Sequence, residues 1–423
     1  MSRVKTITSR VIIIVIAITA AAAFPPASGR VGVSKAAAAG KAKLFDPPAV
    51  YLTWQHDPTT TMTVQWHSDA GRDDFVQYQK LGERVWHTAV GTHHPMPHSD
   101  RVVHVVELTG LEPGTDYRFR FGEKSVAFTF RTMPRDARRP IRFVVGGDTM
   151  DPLDFLDEGF EATCRLAAQQ EPMFAVIGGD IAYANGSPKR VKRWYRWLAG
   201  WKKYMVTSNG RLVPLLVAIG NHEVQGQYNQ TPAQAPFFYS LFAMPGPRGY
   251  NVLDIGGYMS VVLLDSEHTH PIDGKQTDWL RRTLAGRQEV PHLFAVYHVP
   301  AYPSVRKFDN RVSTKVREHW VPVFEEFGVD VVFEHHDHAY KRTHPIRAGT
   351  IDAQGVLYLG DGGWGVLPRK PRERWYLAKT ASTQHFILVR IDGRSRSFLA
   401  MDGDGQVIDE VHQTATPGAT SSP

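Results

Sequence analysis

The sequence predicts a two-domain protein, an all-β sandwich followed by a layered α/β domain of mixed β-sheets with helices outside them. Three observations predict it. Over residues 49–132, short runs alternate between polar and apolar side chains and are broken by turns such as Glu112-Pro113-Gly114, the spacing of a β-sandwich. Beyond residue 140, apolar runs of strand length alternate with helical patterns, the arrangement of a layered α/β domain. Between them, residues 134–140 hold three arginines and two prolines and read as a linker. A chain of 423 residues can bury two cores, and apolar and charged fractions of 42% and 22% exclude both a disordered chain and a multi-span membrane protein.

Taken in order, residues 1–28 read as a signal peptide. Arg3, Lys5 and Arg10 precede an apolar run of thirteen residues over 11–23 that closes in Ala21-Ala22-Ala23, the three-part layout of a secretory leader. The run falls short of the roughly 20 residues that cross a bilayer. The expected location is therefore periplasmic or secreted, without stable membrane insertion. Residues 29–43, rich in Ala, Gly and Lys, read as a flexible leader. Formal charge is +7, but residues 1–43 hold seven cations and no acid, which leaves the rest formally neutral. The basicity belongs to export, and no nucleic-acid partner is expected. Cys164 is the single cysteine, so no intrachain disulfide exists. It lies in an apolar-periodic stretch and reads as a buried thiol. An exported chain without disulfides depends on its cores and on metal.

The sandwich, residues 44–133, should hold strands at 50–54, 62–66, 75–80, 102–108, 117–122 and 126–132. The α/β domain, residues 141–405, should hold strands at 141–146, 173–178, 213–219, 259–264, 293–297, 329–333 and 356–359. Its helices should lie at 155–170, 190–205, 275–285 and 314–327, with closing antiparallel strands at 386–391 and 398–402. Residues 406–423, ending in a run of Thr, Ser, Pro and Ala, should form a disordered tail.

In open α/β sheets, ligands gather beyond the carboxyl ends of strands, and here those ends carry the unusual residues. They read Gly146-Gly147-Asp148, Gly178-Gly179-Asp180-Ile181-Ala182-Tyr183, Gly220-Asn221-His222-Glu223, Tyr297-His298-Val299-Pro300 and His335-His336-Asp337-His338. A Gly-Asp pair after a strand is ordinarily a turn, and a lone histidine is ordinarily a satisfied polar residue. Five such ends in succession point to one site. Carboxylates, an amide carbonyl, imidazoles and a phenol form an O/N donor set suited to iron, zinc or manganese, with no thiolate. One carboxylate can bridge two cations, and the glycines allow the backbone to turn sharply beside them.

The order Gly-Asp, Gly-Asp-x-x-Tyr, Gly-Asn-His-Glu, Val-x-His and His-x-His resembles the calcineurin-like metallophosphoesterases. Tyr183, three residues after Asp180, narrows the resemblance to the purple acid phosphatases. It covers most of residues 44–405, because that family carries a fibronectin-like β domain ahead of a metallophosphoesterase domain with two mixed β-sheets flanked by helices. Met62-Thr63-Val64-Gln65-Trp66 and Phe128-Thr129-Phe130-Arg131-Thr132 are similar to the fibronectin-like part. The resemblance implies iron(III) held by Asp148, Asp180, Tyr183 and His338. It implies a divalent metal (zinc, iron or manganese) held by Asp180, Asn221, His298 and His336, with Asp180 bridging. A free phenol, with a pKa of about 10, binds near neutral pH only to a strongly polarising cation, which agrees with iron(III). His222 is implied to bind the phosphate or protonate the leaving group, and holding Asn221 in place is its competing role. The implied activity is hydrolysis of phosphate monoesters on small phosphorylated substrates. A phosphodiesterase or nuclease on the same core, or an exported binding protein with a vestigial metal site, are the alternatives.

Three departures from the family pattern stand out. Met150 replaces the glycine usual two residues after the first aspartate, and His335 replaces the glycine ahead of the His-x-His pair, where it competes as a ligand. Ser304-Val305-Arg306-Lys307-Phe308 lacks the substrate-contacting histidines of plant-type members, so Arg306 is the substrate-binding candidate there and Lys307 the alternative, with a solvated loop charge as the competing role of both. Asp265-Ser266-Glu267-His268 reads as supporting structure. Gly360-Asp361-Gly362-Gly363-Trp364-Gly365 lacks the Lys-Ser/Thr of a phosphate loop. His93, His94 and His98 read as exposed polar residues of a loop in the β domain.

Overall fold

The computed structural model describes residues 44–153 and 158–415, so the expected signal peptide and leader lie outside the described residues. The sandwich consists of two four-stranded antiparallel sheets. In spatial order one runs Val50–Thr53, Met62–Ser68, Val102–Leu108, Thr92–Pro95, and the other His87–Val90, Phe75–Lys80, Asp116–Arg120, Ala127–Arg131. Alternate residues of each strand face inward, so Val64, Trp66, Val106, Phe119 and Phe130 fill the space between. His87–Val90 and Thr92–Pro95 were not anticipated from sequence. Both are four-residue edge strands with largely exposed side chains, which carry no apolar alternation to read.

In the α/β domain, the six-stranded sheet runs Leu215–Val217, Ala175–Ile177, Ile141–Gly146, His385–Asp392, Ser395–Asp402, Val407–Thr414. Its first three strands are parallel and the remaining pairings antiparallel. The seven-stranded sheet runs Asn251–Ile255, Met259–Leu263, His292–Val296, Val331–Glu334, Leu357–Gly360, Tyr340–Thr343, Leu377–Ala381, with its second to fifth strands parallel. Both faces of those parallel strands are covered, which is why they read as unbroken apolar runs. Phe143, Phe294, Phe333, Val389 and Phe398 join the inner faces of the two sheets. Outside, helices Glu158–Gln169 and Val191–Tyr204 lay Phe160, Trp194, Trp197 and Trp201 on the six-stranded sheet. Lys275–Ala285, Arg311–His319 and Val321–Glu326 cover the other sheet through Leu280, Leu284, Val316 and Phe324. Cys164 is buried among the first group. No helix among the described residues is long and apolar enough to cross a membrane.

Two expectations are corrected. The single helix expected over 314–327 is two, Arg311–His319 and Val321–Glu326, because Pro322 has no N–H to continue the ladder through Trp320. The expected disordered tail over 406–423 contains the strand Val407–Thr414, the outer member of the six-stranded sheet. Arg342 anchors it with Nε and Nη2 donating to Asp409 at 2.6 and 3.1 Å, and the Tyr340 hydroxyl donates to the same carboxylate at 2.7 Å. Its polar composition is that of an edge strand, and only residues 416–423 lie outside the described part.

The stretch expected as a linker is tied down, since Gly393 N donates to Ala137 O at 2.8 Å and the Tyr258 hydroxyl to Pro134 O at 3.1 Å. Trp54 of the sandwich meets Phe174 edge-on at 6.0 Å. Gln65 crosses between the domains: its Nε2 donates to Leu241 O at 2.8 Å, and its Oε1 accepts from Ala243 N at 3.1 Å and Thr53 Oγ1 at 3.0 Å. Gln65 and Thr53 are buried and Ala243 is half-buried, so Gln65→Ala leaves two donors unpaired and is expected to lower stability by about 1–3 kcal/mol. Urea unfolding should show a lower midpoint at unchanged slope. An unchanged midpoint would mean that the two domains do not lean on this contact.

Candidate metal centre

The structure brings all seven sequence-predicted ligand residues into one buried cluster. In one group, Tyr183 Oη lies 3.2 Å from both Asp148 Oδ1 and His338 Nε2, and those two atoms are 3.0 Å apart. In the other, His298 Nε2 lies 3.1 Å from Asp180 Oδ2, 3.2 Å from Asn221 Oδ1 and 3.1 Å from His336 Nδ1. The groups adjoin, because His336 N donates to Asp148 Oδ2 at 3.0 Å. His222 borders them, with Nε2 3.8 Å from Asp180 Oδ2 and its ring stacked 4.1 Å from that of Tyr183.

The strand ends achieve this through backbone that L-residues seldom adopt. Asp148, Asp180, Tyr183, His336 and His338 have φ of 56°, 52°, 51°, 80° and 58°. Such strain persists only where the surroundings over-determine it. Glu223 supplies much of that determination: Oε2 accepts from Asp180 N at 2.8 Å and Gly220 N at 2.9 Å, and Oε1 from Ile181 N at 2.8 Å. Gly362 supplies another part. A Cβ there would sit 1.8 Å from Asp148 Oδ2, and its φ of +70° favours glycine. The loop around it embraces the Asp148 turn, with Trp364 N donating to Gly147 O at 3.1 Å and Gly365 N to Asp148 O at 3.0 Å.

The donor set fits a cation by its chemistry. His298 Nδ1 donates to Gly178 O at 2.9 Å, which aims Nε2 at the other donors. Nε2 faces a carboxylate oxygen, an amide oxygen and another imidazole nitrogen, a set that attracts a metal ion or a proton. Burial works against a charge on His298, yet the Asp180 and Asp148 carboxylates outweigh it and push its pKa up to about 9. Burial also opposes charge on Asp148 and Asp180, and facing imidazoles still hold both carboxyls below their usual range. Burial and the two aspartates push the Tyr183 hydroxyl well above the usual phenol value, so its ionisation calls for strong positive charge.

Other sequence candidates lie elsewhere. The Arg306 guanidinium is turned onto Asp337 Oδ1 at 2.6 Å and the His336 carbonyl, where it braces the His336–His338 turn instead of facing the donors. His335 is not among the converging groups. Its ring wedges between Gly147 and Gly178, where added Cβ atoms would come within 2.7 and 1.8 Å of it. Burial lowers its pKa to about 3, and neither ring nitrogen has a hydrogen-bond partner among the described residues. Asp265 shapes its own turn by accepting from the backbone of His268, Thr269 and His270, while Ser266 Oγ accepts from Val299 N at 3.0 Å, beside His298. Sequence reasoning missed Tyr228, whose hydroxyl lies 3.2 Å from His336 Nε2, and Asn185, which holds His222 Nδ1. Both stand in loops without a local signal. Glu223 was visible as the last residue of Gly220-Asn221-His222-Glu223.

The chain matches the family model for the purple acid phosphatase N-terminal domain over residues 47–132 and that for calcineurin-like phosphoesterases over residues 141–340. An uncharacterized protein of Mycobacterium tuberculosis is 26% identical over 343 residues, 71% of this chain and 63% of its own. This chain thus spans less than two thirds of that relative's length. Purple acid phosphatase 23 of Arabidopsis thaliana is 26% identical over 342 residues, 73% of this chain and 72% of its own. The solved structure of purple acid phosphatase PPD1 from yellow lupin (Lupinus luteus) seeds superposes with a TM-score of 0.74 at 18% identity, over 88% of this chain and 75% of that one. This likeness shows the fold, a β-rich domain followed by an α/β domain with mixed sheets.

Burial and the Asp180 carboxylate push the Glu223 pKa up to about 8, so the loss in Glu223→Gln is that of an acceptor for backbone N–H groups more than of charge; setting an amide N–H₂ against a backbone N–H should cost about 1–3 kcal/mol. Urea unfolding of chelator-treated wild type and variant measures this. A deficit that vanished without metal would show that Glu223 acts only through cations and does not hold the turn itself.

Proposed function

We propose that this chain, which belongs to the purple acid phosphatases among the calcineurin-like phosphoesterases, hydrolyses phosphate monoesters at a pair of metal ions. The observation that carries the reading is the convergence of seven side chains able to donate electron pairs to metal, four of them meeting at His298 Nε2. Asp148, Asp180, Tyr183 and His338 would hold iron(III). Asp180, Asn221, His298 and His336 would hold a divalent ion, zinc, iron or manganese, with Asp180 common to both. When bound, such a pair supplies positive charge to phosphate oxygens and lowers the pKa of water toward neutrality.

The chain's own groups position and move protons around that pair. His222 gives its Nδ1 hydrogen to Asn185 Oδ1 and lies flat on Tyr183, so its Nε2 is held beside Asp180 on the partly exposed side of the site. Burial lowers the His222 pKa, so a protonated Nε2 serves the leaving oxygen on the acid side of the ordinary imidazole range. Monoester hydrolysis is among the slowest uncatalysed reactions, and a positioned acid contributes about 10²- to 10⁴-fold where the leaving group is poor. Arg306 contributes by fixing the His336–His338 turn, which supports small phosphorylated substrates held chiefly by the centre itself. The leader over 1–28 supports action in the periplasm or outside the cell.

Iron-loaded protein should show a visible tyrosinate-to-iron(III) charge-transfer band that Tyr183→Phe abolishes. An intact, iron-loaded wild type without the band would remove Tyr183 from the ligand set. Nitrophenyl phosphate should be cleaved with a kcat/KM at least about tenfold above that for the bis(nitrophenyl) diester, and the reverse order would assign a phosphodiesterase. His222→Ala should lower kcat on an alkyl phosphate by about 10²-fold or more, and on nitrophenyl phosphate far less. Equal losses on both substrates would make His222 a support for Asn221 and not an acid.

A further inference from the structure

A second convergence of electron-pair donors lies in the sandwich. Asp74 immediately precedes the strand Phe75–Lys80 of one sheet. Its Oδ1 is 2.6 Å from His104 Nδ1 and its Oδ2 is 2.6 Å from His93 Nδ1. His93 and His104 sit opposite each other on the paired strands Thr92–Pro95 and Val102–Leu108 of the other sheet. The carboxylate therefore comes from one layer of the sandwich and both imidazoles from the other, with all three donor atoms within 4.8 Å of one another.

The hydrogen bonding of His104 shows what this arrangement lacks. Its buried ring is stacked on Trp66, with centroids 4.5 Å apart and planes 5° apart. Its Nε2 is 2.7 Å from Ser68 Oγ, and the Ser68 hydroxyl donates to Asp69 O at 2.7 Å. Ser68 has one hydrogen and that carbonyl uses it, so His104 Nε2 must carry the hydrogen of the other contact. The remaining nitrogen of the neutral ring, Nδ1, then points a lone pair at a carboxylate oxygen 2.6 Å away. Something positive belongs between them. A proton would serve the His104–Asp74 pair alone, whereas a divalent cation serves Asp74, His104 and His93 together.

We propose that Asp74, His93 and His104 bind a divalent cation, zinc by the character of the two-nitrogen, one-oxygen donor set, and that it staples the two sheets of the sandwich. Zinc sits about 2.0–2.1 Å from such ligands and takes a water in its fourth position. The donor atoms must part by less than ~1 Å to admit it. His93 gives that room, since its side chain is 51% exposed on an edge strand. The staple would stand where an exported sandwich with no second cysteine has no disulfide.

The test counts metal on the full chain by equilibrium dialysis against micromolar zinc followed by elemental analysis. Wild type should hold one zinc equivalent per chain more than His93→Ala, with turnover of nitrophenyl phosphate unchanged within about twofold. Asp74→Asn should lose the same equivalent, and if it fails to fold, the exposed His93→Ala carries the comparison alone. Equal zinc content in wild type and His93→Ala would overturn the proposal and leave a proton-bridged His-Asp-His contact. The count is a difference between proteins with identical catalytic residues, so its outcome is separate from that of the proposed function.

Discussion

Two carboxylates and three imidazoles buried together are costly to assemble, and the architecture around the seven ligand candidates is arranged to hold them in place. Five of the seven stand in left-handed backbone, a conformation costing of order 1–3 kcal/mol for each non-glycine residue. Parallel strands covered on both faces bring the turns to one edge, and backbone N–H groups then hold the carboxylates from behind. His222 N serves Asp180 and His336 N serves Asp148. Glu223, by gathering three N–H groups of the Asp180 and Asn221 turns, converts two separate loops into one rigid piece.

The same constraint explains an apparent departure in the sequence. A histidine at position 335 puts a large polar ring where a small residue would leave space. That space is taken from Gly147 and Gly178, the strand-end glycines of two other ligand loops, either of which would collide with the ring if it carried a Cβ. With its pKa lowered to about 3 by burial, the ring is neutral and packs as a flat plate among three strand ends. His335 thus belongs to the packing that sets the loops at their separation, and its neighbours His336 and His338 are free to face the donors.

Much of this was legible in the chain. Unbroken apolar runs mark strands covered on both faces, and a chemically unusual residue at the end of each is a local pattern that needs no knowledge of three-dimensional contacts. Edge strands were less legible: His87–Val90, Thr92–Pro95 and Val407–Thr414 face solvent along much of their length, so their composition resembles loop or tail. Residues acting through distant backbone were not legible at all. Tyr228 and Gly362 reach His336 and Asp148 over 108 and 214 positions, as their numbers show, and nothing adjacent to them in sequence announces the contact. Arg306 shows a further limit: its charge suggests substrate binding, and nothing in the sequence shows that Asp337 holds its guanidinium.

The sandwich bears on the centre through packing and not through any shared ligand. Trp54 meets Phe174 edge-on, Phe174 stacks on Phe143 at 4.6 Å between centroids, and Phe143 meets Phe294 at 5.8 Å. Phe143 lies on the strand that ends before Asp148, and Phe294 on the one that ends before His298. Interiors packed at crystal density transmit displacement instead of absorbing it. A shift of the sandwich against the α/β domain would therefore press on strands whose ends position ligand candidates to within tenths of an ångström. The sandwich is for this reason a buttress of the site, and holding its own two sheets in register is part of holding the donors in place.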